Sequence, residues 1–166
     1  IATQAEDLIA GGVKELIHVG YAGGLQPELV PGDIILTDGA FNDTAVARLY
    51  GYDYEIICSS KDLTNEIEEM ITSAEIPYKR GLHWTTDAGY RETWGQVMDY
   101  RDKGALCVEM EGVGLFTIAN YRKCVATGIY VVSDVYSEND WKLGWEGNNI
   151  KRAVGAVIDM IIESIR

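Results

Sequence analysis

The sequence predicts an α/β fold: a three-layer αβα domain with a central, mainly parallel or mixed sheet covered by helices on both faces. Helical and strand patterns alternate along the chain, which is typical of this architecture. The apolar, β-branched run at 125–132 has the composition of a buried central strand. The chain has 166 residues, enough for a domain with a substantial core. Since no repeat or linker divides it, we expect one domain over residues 1–166.

Apolar periodicity, together with residues that start or stop helices, predicts five helices. Gly11 and Gly12 stop the first helix and Gly104 stops the third, while Asp62 is a suitable N-cap for the second. In the last helix, apolar residues at 154, 157, 158, 161, 162 and 165 form the stripe of a helix packed on a sheet. The predicted helices are Thr3–Ala10, Leu63–Ala74, Glu92–Lys103, Gly112–Tyr121 and Lys151–Ile165.

Short apolar runs between these helices predict the strands. A stretch rich in glycine and proline, residues 20–32, predicts a loop between the first two strands. The predicted strands are Glu15–Val19, Asp33–Thr37, Tyr54–Cys58, Lys79–Thr85, Ala105–Glu109 and Val125–Val132.

Composition excludes several classes of partner. The net charge of −12, with 14 Lys and Arg residues that form no basic stripe, argues against nucleic acid and anionic membranes. No apolar run reaches the roughly 18 residues of a membrane span, and no signal peptide is evident. Cys58, Cys107 and Cys124 fit no metal spacing, so we expect reduced, buried thiols in a cytoplasmic protein. His18 and His83 lack companions at ligand spacing, so we expect no metal.

The start of the chain is unusual for a parallel sheet. The first residue is Ile1, and the helical pattern begins at Thr3 with no strand before it. Because a helix there would have no preceding strand to pack on, we expect that the sequence is the later part of a longer protein or a shortened one.

Two predicted strands end in acids. Val125–Val132 is followed by Ser133 and Asp134, and the strand that ends at Glu109 is followed closely by Glu111. The carboxyl ends of strands form the edge at which open α/β sheets bind ligands. We therefore expect a site in which one carboxylate binds hydroxyl groups and another transfers a proton.

Four segments, in order and spanning nearly the whole chain, carry a resemblance to a known family. They are His18–Pro27 with Pro31–Ile35, Trp84–Ala88 with Tyr90–Thr93, Val108–Glu111, and Ser133–Asp134. They resemble, in turn, the phosphate loop, base-pocket segment, ribose-binding signature and general-acid position of the nucleoside phosphorylases, a family that includes uridine phosphorylases, hexameric purine nucleoside phosphorylases and methylthioadenosine nucleosidases. The resemblance implies a cytoplasmic homo-oligomer, a dimer or hexamer, that acts on a nucleoside with phosphate as co-substrate and no other cofactor.

The resemblance also implies roles for the acids. Asp134 would protonate N7 of a purine leaving group, which requires a carboxyl group in a partly desolvated pocket. Glu109, Met110 and Glu111 would bind the ribose, with Glu111 accepting hydrogen bonds from the 2′- and 3′-hydroxyls. Without the resemblance, Glu111 is equally an acid at a helix start and Asp134 a turn or N-cap acid.

By the same resemblance, the base pocket contains Thr86, Asp87, Tyr90 and Val108. Trp84 is either a stacking partner for the base or a core residue. The pyrimidine-reading Gln and Arg of uridine phosphorylases are not evident at 93–95, which favours a purine. Gly89 stands where relatives often carry an aromatic residue, so it leaves room for a bulkier base.

The phosphate segment departs from the family pattern. Relatives typically carry Arg-x-Gly-Ser or Arg-x-Gly-Thr, and this chain has His18, Gly20 and Tyr21 there. His is only partly charged near neutral pH and lacks the bidentate fork of Arg, and Tyr21 is bulky enough to fill an anion pocket. The amides of Gly20–Gly24 could form an anion-binding nest, and Arg48 is either a further basic group or a surface residue.

Three functions remain open. The first is a phosphorylase that yields free base and pentose-1-phosphate, favoured because Glu111 and Asp134 occur together. The second is a hydrolytic nucleosidase, favoured by the altered phosphate residues. The third is a non-catalytic nucleoside-binding or storage protein of the same fold. Phosphate dependence separates the first two, and turnover separates both from the third.

Overall fold

A computed structural model describes residues 1–137, 140–144 and 147–164. The strands in these ranges are β1 (Glu15–Gly24), β2 (Ile34–Asp43), β3 (Ile56–Cys58), β4 (Lys79–Thr86), β5 (Cys107–Glu109), β6 (Val125–Ser137) and β7 (Asp140–Leu143). The helices are α1 (Ala2–Ala10), α2 (Val46–Leu49), α3 (Lys61–Ser73), α4 (Trp94–Asp102), α5 (Gly112–Arg122) and α6 (Asn148–Ser164), with a short 3-10 turn at Gly89–Arg91.

All these strands belong to one mixed sheet in the order β3-β2-β4-β5-β1-β6-β7. The β1–β6, β2–β4 and β4–β5 pairs are parallel, whereas β1–β5, β2–β3 and β6–β7 are antiparallel. The start of β2, Ile34–Leu36, also pairs with Ile129–Val131 of β6. This additional pairing closes β2, β4, β5, β1 and β6 into a ring, which brings the ends of β1, β4, β5 and β6 together.

Helices cover the sheet on both faces. On one face, α5 packs with α1 and α2 through residues such as Phe116, Ala5 and Ala47. On the other face, α3 and α6 bury Ile67 and Val157 against β2 and β6. The α/β fold predicted from the sequence is therefore confirmed.

Several predicted boundaries are wrong because pairing extends the strands. Residues Gly20–Gly24 are not a loop: they continue β1, and parallel pairing with β6 reaches Gly24 opposite Val135. An extended strand does not form the anion-binding nest that the glycines suggested. Antiparallel pairing with β7 likewise carries β6 to Ser137. The end of the last predicted helix, Ile165, lies outside the described residues.

The start of α4 also differs from the prediction. The helix begins after Thr93, whose hydroxyl accepts the Gln96 N–H while the Gln96 side chain accepts the Thr93 N–H. This reciprocal capping box defines a helix N-terminus. Glu92 therefore lies outside the helix, in the segment that connects it to the 3-10 turn.

The structure shows that one cysteine predicted to be buried is exposed, and that Trp84, whose position the sequence left open, is buried. Cys107 and Cys124 are buried as expected, but Cys58 is exposed because it ends the edge strand β3 with its side chain directed outward. Trp84 is fully buried and stacks on Tyr100 with ring centroids 4.4 Å apart. Trp84 is thus a core residue.

The helices of the described ranges include no candidate for a membrane span, since each is too short or too polar for one.

Candidate active site

Three neighbouring strands bring Asp134 and Val108 to the same place. Gly23, near the end of β1, pairs with Val108 of β5 on one side and with Asp134 of β6 on the other. A Cβ atom at Gly23 would lie 3.3 Å from both Asp134 Oδ2 and Val108 Cγ1. The glycine therefore leaves the backbone open between the two side chains.

A bulge in β6 sets the direction of Asp134. Ala22 pairs with Val132 and the next residue, Gly23, pairs with Asp134, so Ser133 is the extra residue. Bulges commonly re-aim side chains beside active sites. The Ser133 hydroxyl donates to Asp134 Oδ1 at 2.5 Å, and only 6% of Asp134 is exposed. The predicted general acid is thus a buried carboxyl group, held by its neighbour.

The carboxylate of Glu109 is directed into the ring of strands. Its Oε1 lies 3.0 Å from His83 Nε2 and accepts the Thr85 hydroxyl at 2.5 Å. Its Oε2 accepts the N–H groups of Glu111 and Gly112 at 2.8 and 2.7 Å. Burial by itself would raise the pKa of Glu109, but the charge and hydrogen bond of His83, with the other donors, lower it. Glu109 therefore anchors the start of α5.

Met110 and Glu111 face outward, unlike Glu109. Met110 is 48% exposed and Glu111 is partly buried. Within the described part of the chain, the Glu111 carboxylate accepts one hydrogen bond, from the Met110 N–H at 3.2 Å. Most of its acceptor capacity is therefore available to a ligand.

The predicted phosphate residues do not form a cluster of positive charge. Burial lowers the pKa of His18, against the opposing charges of Glu109 and Glu111, so its imidazole is largely neutral near pH 7. Its Nδ1 is buried with no hydrogen-bond partner among the described residues. Strand alternation directs Tyr21, which is 46% exposed, to the opposite face from His18. Tyr21 therefore does not fill the space beside His18.

Arg48 lies apart from His18. It lies on α2 in a polar cleft whose lining includes Asp43, Asp53 and Glu55. His18 lines an apolar groove of about 480 Å³ between α1, β1 and α5, and the two spaces share no lining residue. The structure does not bring these two predicted phosphate residues together.

The other predicted base-pocket residues shape a turn. Thr86 Oγ1 accepts the Ala88 N–H at 3.3 Å, and Asp87 Oδ2 accepts the Ala45 N–H at 2.7 Å. Tyr90 is fully exposed. Of the four residues predicted for the base, Val108 alone contacts the surface beside Asp134 in the described structure.

Two residues that the sequence did not single out complete this surface. The Tyr136 hydroxyl donates to Glu92 Oε2 at 2.8 Å. A Cβ atom at Gly23 would lie 2.7 Å from Tyr136 Cε2, and one at Gly89 would lie 3.5 Å from Glu92 Oε1 and 3.7 Å from Met110 Sδ. Asp134, Val108 and Tyr136 therefore lie around Gly23, and Glu92 and Met110 lie beside Gly89. We call these five residues the Gly23–Gly89 cluster.

The Gly23–Gly89 cluster is electrostatically unusual. Burial raises the pKa of Glu92, the negative charge of Asp134 raises it further, and the Tyr136 hydrogen bond opposes the change. Burial, Glu92 and Asp134 together raise the pKa of Tyr136. Two carboxyl groups and a phenol that keeps its proton therefore lie near one another in a partly buried part of the structure. No set of three or more His, Cys, Asp or Glu in the described ranges is arranged to hold a metal ion.

Comparison with known proteins identifies the family. A family model described as the phosphorylase superfamily matches residues 1–165. The chain belongs to the phosphorylase superfamily. Two curated relatives of this superfamily member are DeoD-type purine nucleoside phosphorylases, and each is 34% identical to it. The match to the protein of Exiguobacterium sibiricum covers 74% of this chain and 53% of the relative. The match to the protein of Caldanaerobacter subterraneus subsp. tengcongensis covers 81% of this chain and 59% of the relative.

A solved structure supports the same fold. The superfamily member superposes with a TM-score of 0.83 and 23% identity on a structure described as the P. knowlesi homologue of P. falciparum PNP, covering 98% of this chain and 65% of that one. The chain thus spans between half and two thirds of the length of these proteins.

Proposed function

We propose that this superfamily member cleaves the N-glycosidic bond of a purine nucleoside with phosphate, giving free base and pentose-1-phosphate. The observation that carries the proposal is the buried carboxyl group of Asp134, which adjoins Gly23 and Val108 across three paired strands. The chain leaves β5 directly into Met110 and Glu111. This arrangement supports a site in which Asp134 donates a proton to a base and Glu111, three residues after Val108, accepts hydrogen bonds from sugar hydroxyls.

In the proposed reaction, the C1′–N9 bond breaks and its electron pair leaves with the purine. The protonated Asp134 carboxyl donates its proton to N7, which makes the base a better leaving group. A phosphate oxygen then forms the new bond to C1′, and the proton of hydrogen phosphate replaces the one that Asp134 gave up. Glu111 would accept hydrogen bonds from the sugar hydroxyls, and its charge would stabilise the positive charge that develops on the ring.

We assign Glu109 a positioning role and Met110 a contact with the sugar face. The Glu109 carboxylate is already occupied by four protein donors, so it would act on the ribose through Glu111, whose N–H it binds. The exposed Met110 thioether is polarisable and adapts to irregular apolar surfaces. Phosphate is the only co-substrate in this proposal.

The names of the relatives support purine phosphorolysis, and the family resemblance extends the proposal to a cytoplasmic homo-oligomer. The two curated relatives are named as purine nucleoside phosphorylases. Because the chain spans only 53% and 59% of their length, the activity, substrates and assembly of the whole protein all belong to the proposal.

Hydrolysis is the second candidate, and His18 favours it. A largely neutral imidazole lacks the charge and the fork with which Arg binds phosphate, and its pKa is lowered by burial. Water would then attack C1′ in place of phosphate and the products would be base and free pentose.

The Asp134→Asn substitution tests the proposal. Asparagine keeps the shape but has no proton to donate at the pH of the reaction, so we expect kcat for purine nucleosides to fall by about 10²- to 10⁴-fold, with binding changed far less. Base release and calorimetric binding would be measured in parallel. Asp62→Asn, on the exposed surface of α3, is the matched control, and an Asp134→Asn protein as active as this control would overturn the assigned role.

A further inference from the structure

We propose that His83 is a positioning residue of this site: it holds Glu109, and through Glu109 it fixes Glu111 for the hydroxyl groups of a ribose. The inference rests on the proposed function, because it assumes that Glu111 accepts hydrogen bonds from the sugar. It goes beyond that function by making recognition of the 2′- and 3′-hydroxyls depend on a fully buried imidazole.

The imidazole of His83 lies inside the ring of strands, and both of its nitrogen atoms have polar neighbours. Nε2 lies 3.0 Å from Glu109 Oε1, and Nδ1 lies 2.6 Å from Thr37 Oγ1. The Thr37 hydroxyl is bound in turn by the backbone of Gly39, since it donates to the carbonyl and accepts the N–H of that residue. His83 therefore connects a fixed hydroxyl group on β2 with the carboxylate at the end of β5.

His83 also contacts the start of α5 directly. A Cβ atom at Gly112 would lie 2.5 Å from His83 Nε2 and 2.9 Å from the Tyr130 hydroxyl, so the backbone of the first helical residue lies against both side chains. The centroid of the His83 ring is 4.8 Å from that of Tyr130 and 6.2 Å from that of Phe116 on α5. Because the ring is packed on several sides, it keeps one orientation and directs the carboxylate beside it.

Glu109 transmits this orientation to the backbone of Glu111. Its Oε2 accepts the N–H groups of Glu111 and Gly112 at 2.8 and 2.7 Å. The Glu111 carbonyl accepts the N–H of Leu115 at 2.9 Å, in the first turn of α5. Both backbone polar groups of Glu111 are therefore bound, and its carboxylate leaves the chain from a defined position.

Stability alone does not explain a polar pair at this place. His83 and Glu109 are 0% and 5% exposed, and removing two such groups from water costs free energy that a well-packed apolar pair does not. Burial by itself would raise the pKa of Glu109, and the contacts of His83 are the first of those that lower it. An ionised carboxylate is the acceptor that the unpaired N–H groups at the start of a helix favour. The pair is therefore suited to fixing the residue proposed to bind the sugar.

The two hydroxyl groups of a ribose require an accurately placed acceptor. A carboxylate can accept one hydrogen bond on each oxygen, and a displacement of about 1 Å weakens both and can lower the rate roughly 10²-fold. A displaced Glu111 would therefore affect a nucleoside that has these hydroxyls and have little effect on one that lacks them. The sugar of the substrate thus distinguishes a positioning role for His83 from a general loss of folded protein.

The test compares kcat/KM for base release from inosine and from 2′,3′-dideoxyinosine, both with phosphate, in the unmodified protein, His83→Leu and His83→Gln. Leucine has no hydrogen-bonding group, so His83→Leu should lower kcat/KM for inosine by about 10- to 100-fold and for 2′,3′-dideoxyinosine by less than about threefold. The amide of glutamine can donate to Glu109, so His83→Gln should keep the preference for inosine within about fivefold of the original.

Two further variants separate this role from a loss of stability. Thr37→Val removes the hydroxyl group beside Nδ1 and leaves His83 in place, so it should cause a loss of about 3- to 10-fold for inosine alone. This variant decides the test if His83→Leu does not fold. Thr127→Val is the matched control, because the Thr127 hydroxyl is also buried in the sheet but lies 2.8 Å from Thr64 on α3. It should leave the ratio of the two kcat/KM values unchanged.

Equal losses with both nucleosides in His83→Leu and Thr37→Val, or an unchanged preference for inosine in both, would rule out the positioning role. Glu111→Ala tells these results apart from a failure of the proposed function, since it should itself remove the preference for inosine. If Glu111→Ala keeps that preference, or if calorimetry detects no nucleoside binding to the unmodified protein, the proposed function fails and the inference fails with it.

Discussion

The surroundings of each carboxylate in the site indicate what it can do. Within the described residues, Glu109 accepts four hydrogen bonds, Glu111 accepts one from a backbone N–H, and Glu92 accepts one from a phenol. A carboxylate whose acceptor sites are filled holds the structure together, whereas one with unused sites and little compensation is suited to a ligand. This difference separates the positioning residue Glu109 from the proposed binding residues.

At the residue scale, Glu92→Gln should stabilise the ligand-free protein at neutral pH. The pKa of the Glu92 carboxyl group is raised in the folded state. At pH values between its unfolded and folded pKa, this carboxyl group is therefore ionised in the unfolded chain but protonated in the folded protein. Stability then falls as pH rises through this interval, and Gln removes the loss. Urea unfolding should show a higher free energy of unfolding for Glu92→Gln than for the unmodified protein at pH 7. The difference should disappear below the pKa of Glu92 in the unfolded chain, which is about 4.

An equal or lower stability of Glu92→Gln at pH 7 would contradict this electrostatic account. Glu66→Gln, on the exposed face of α3, serves as the control for replacing one carboxylate by an amide without burial. If Glu92→Gln increases the free energy of unfolding and Glu66→Gln does not, the result would be consistent with a functional residue that is retained at a cost in stability.

Sequence reasoning singled out some of these proposed site residues and not others, for identifiable reasons. Asp134 and Glu111 were predicted because they lie just beyond the ends of apolar strands, whereas Val108 was predicted from the family resemblance alone. Glu92 was assigned to a helix, since only the Thr93 hydroxyl contacts reveal where α4 begins. Tyr136 was missed because β6 continues past its apolar run, through pairing with a strand whose composition does not signal it.

At the element scale, a polar network inside the ring of strands sets the start of α5. The His83 Nδ1 atom lies 2.6 Å from Thr37 Oγ1, whose hydroxyl donates to the Gly39 carbonyl. The network thereby joins β2, β4 and β5 and directs the Glu109 carboxylate at the first N–H groups of α5.

Glu109→Gln should therefore destabilise the protein by about 3 kcal/mol, because the amide group presents donors where the carboxylate accepted them in a buried site. The folded-state pKa of Glu109 is lowered, so its contribution is present above the unfolded pKa and is lost as pH falls through the folded one. Urea unfolding should show a large difference from the unmodified protein at pH 7 that shrinks under acid conditions. A difference near zero at pH 7 would show that the network is not needed for the fold.

Element boundaries were the least predictable feature of the fold. The glycine-rich composition of residues 20–24 predicts a loop. In the structure these residues form the end of β1 and pair with β6. A Cβ at Gly20 would lie 2.8 Å from His18 Cε1, so a larger residue there would require the imidazole to move. The element types were predictable from periodicity, whereas the pairing that fixes their ends depends on residues distant in sequence.

At the scale of the whole molecule, the closure of the sheet explains why distant motifs form one site. The pairing of β2 with β6 closes a ring in which β5, β1 and β6 are neighbours. Segments around 23, 108 and 134 therefore meet although more than 100 residues separate the first from the last. The fold class could be predicted from alternating patterns, but this ring closure could not, because nothing local in β2 signals a second partner.

The phosphate dependence of base release tests the central claim most directly. The full protein would be incubated with guanosine or inosine, with and without inorganic phosphate, and both free base and the pentose product would be quantified. The account predicts that base release requires phosphate and that pentose-1-phosphate forms in equal amount. Release of base and free pentose at the same rate without phosphate, or no release by folded protein that binds the nucleoside, would contradict it.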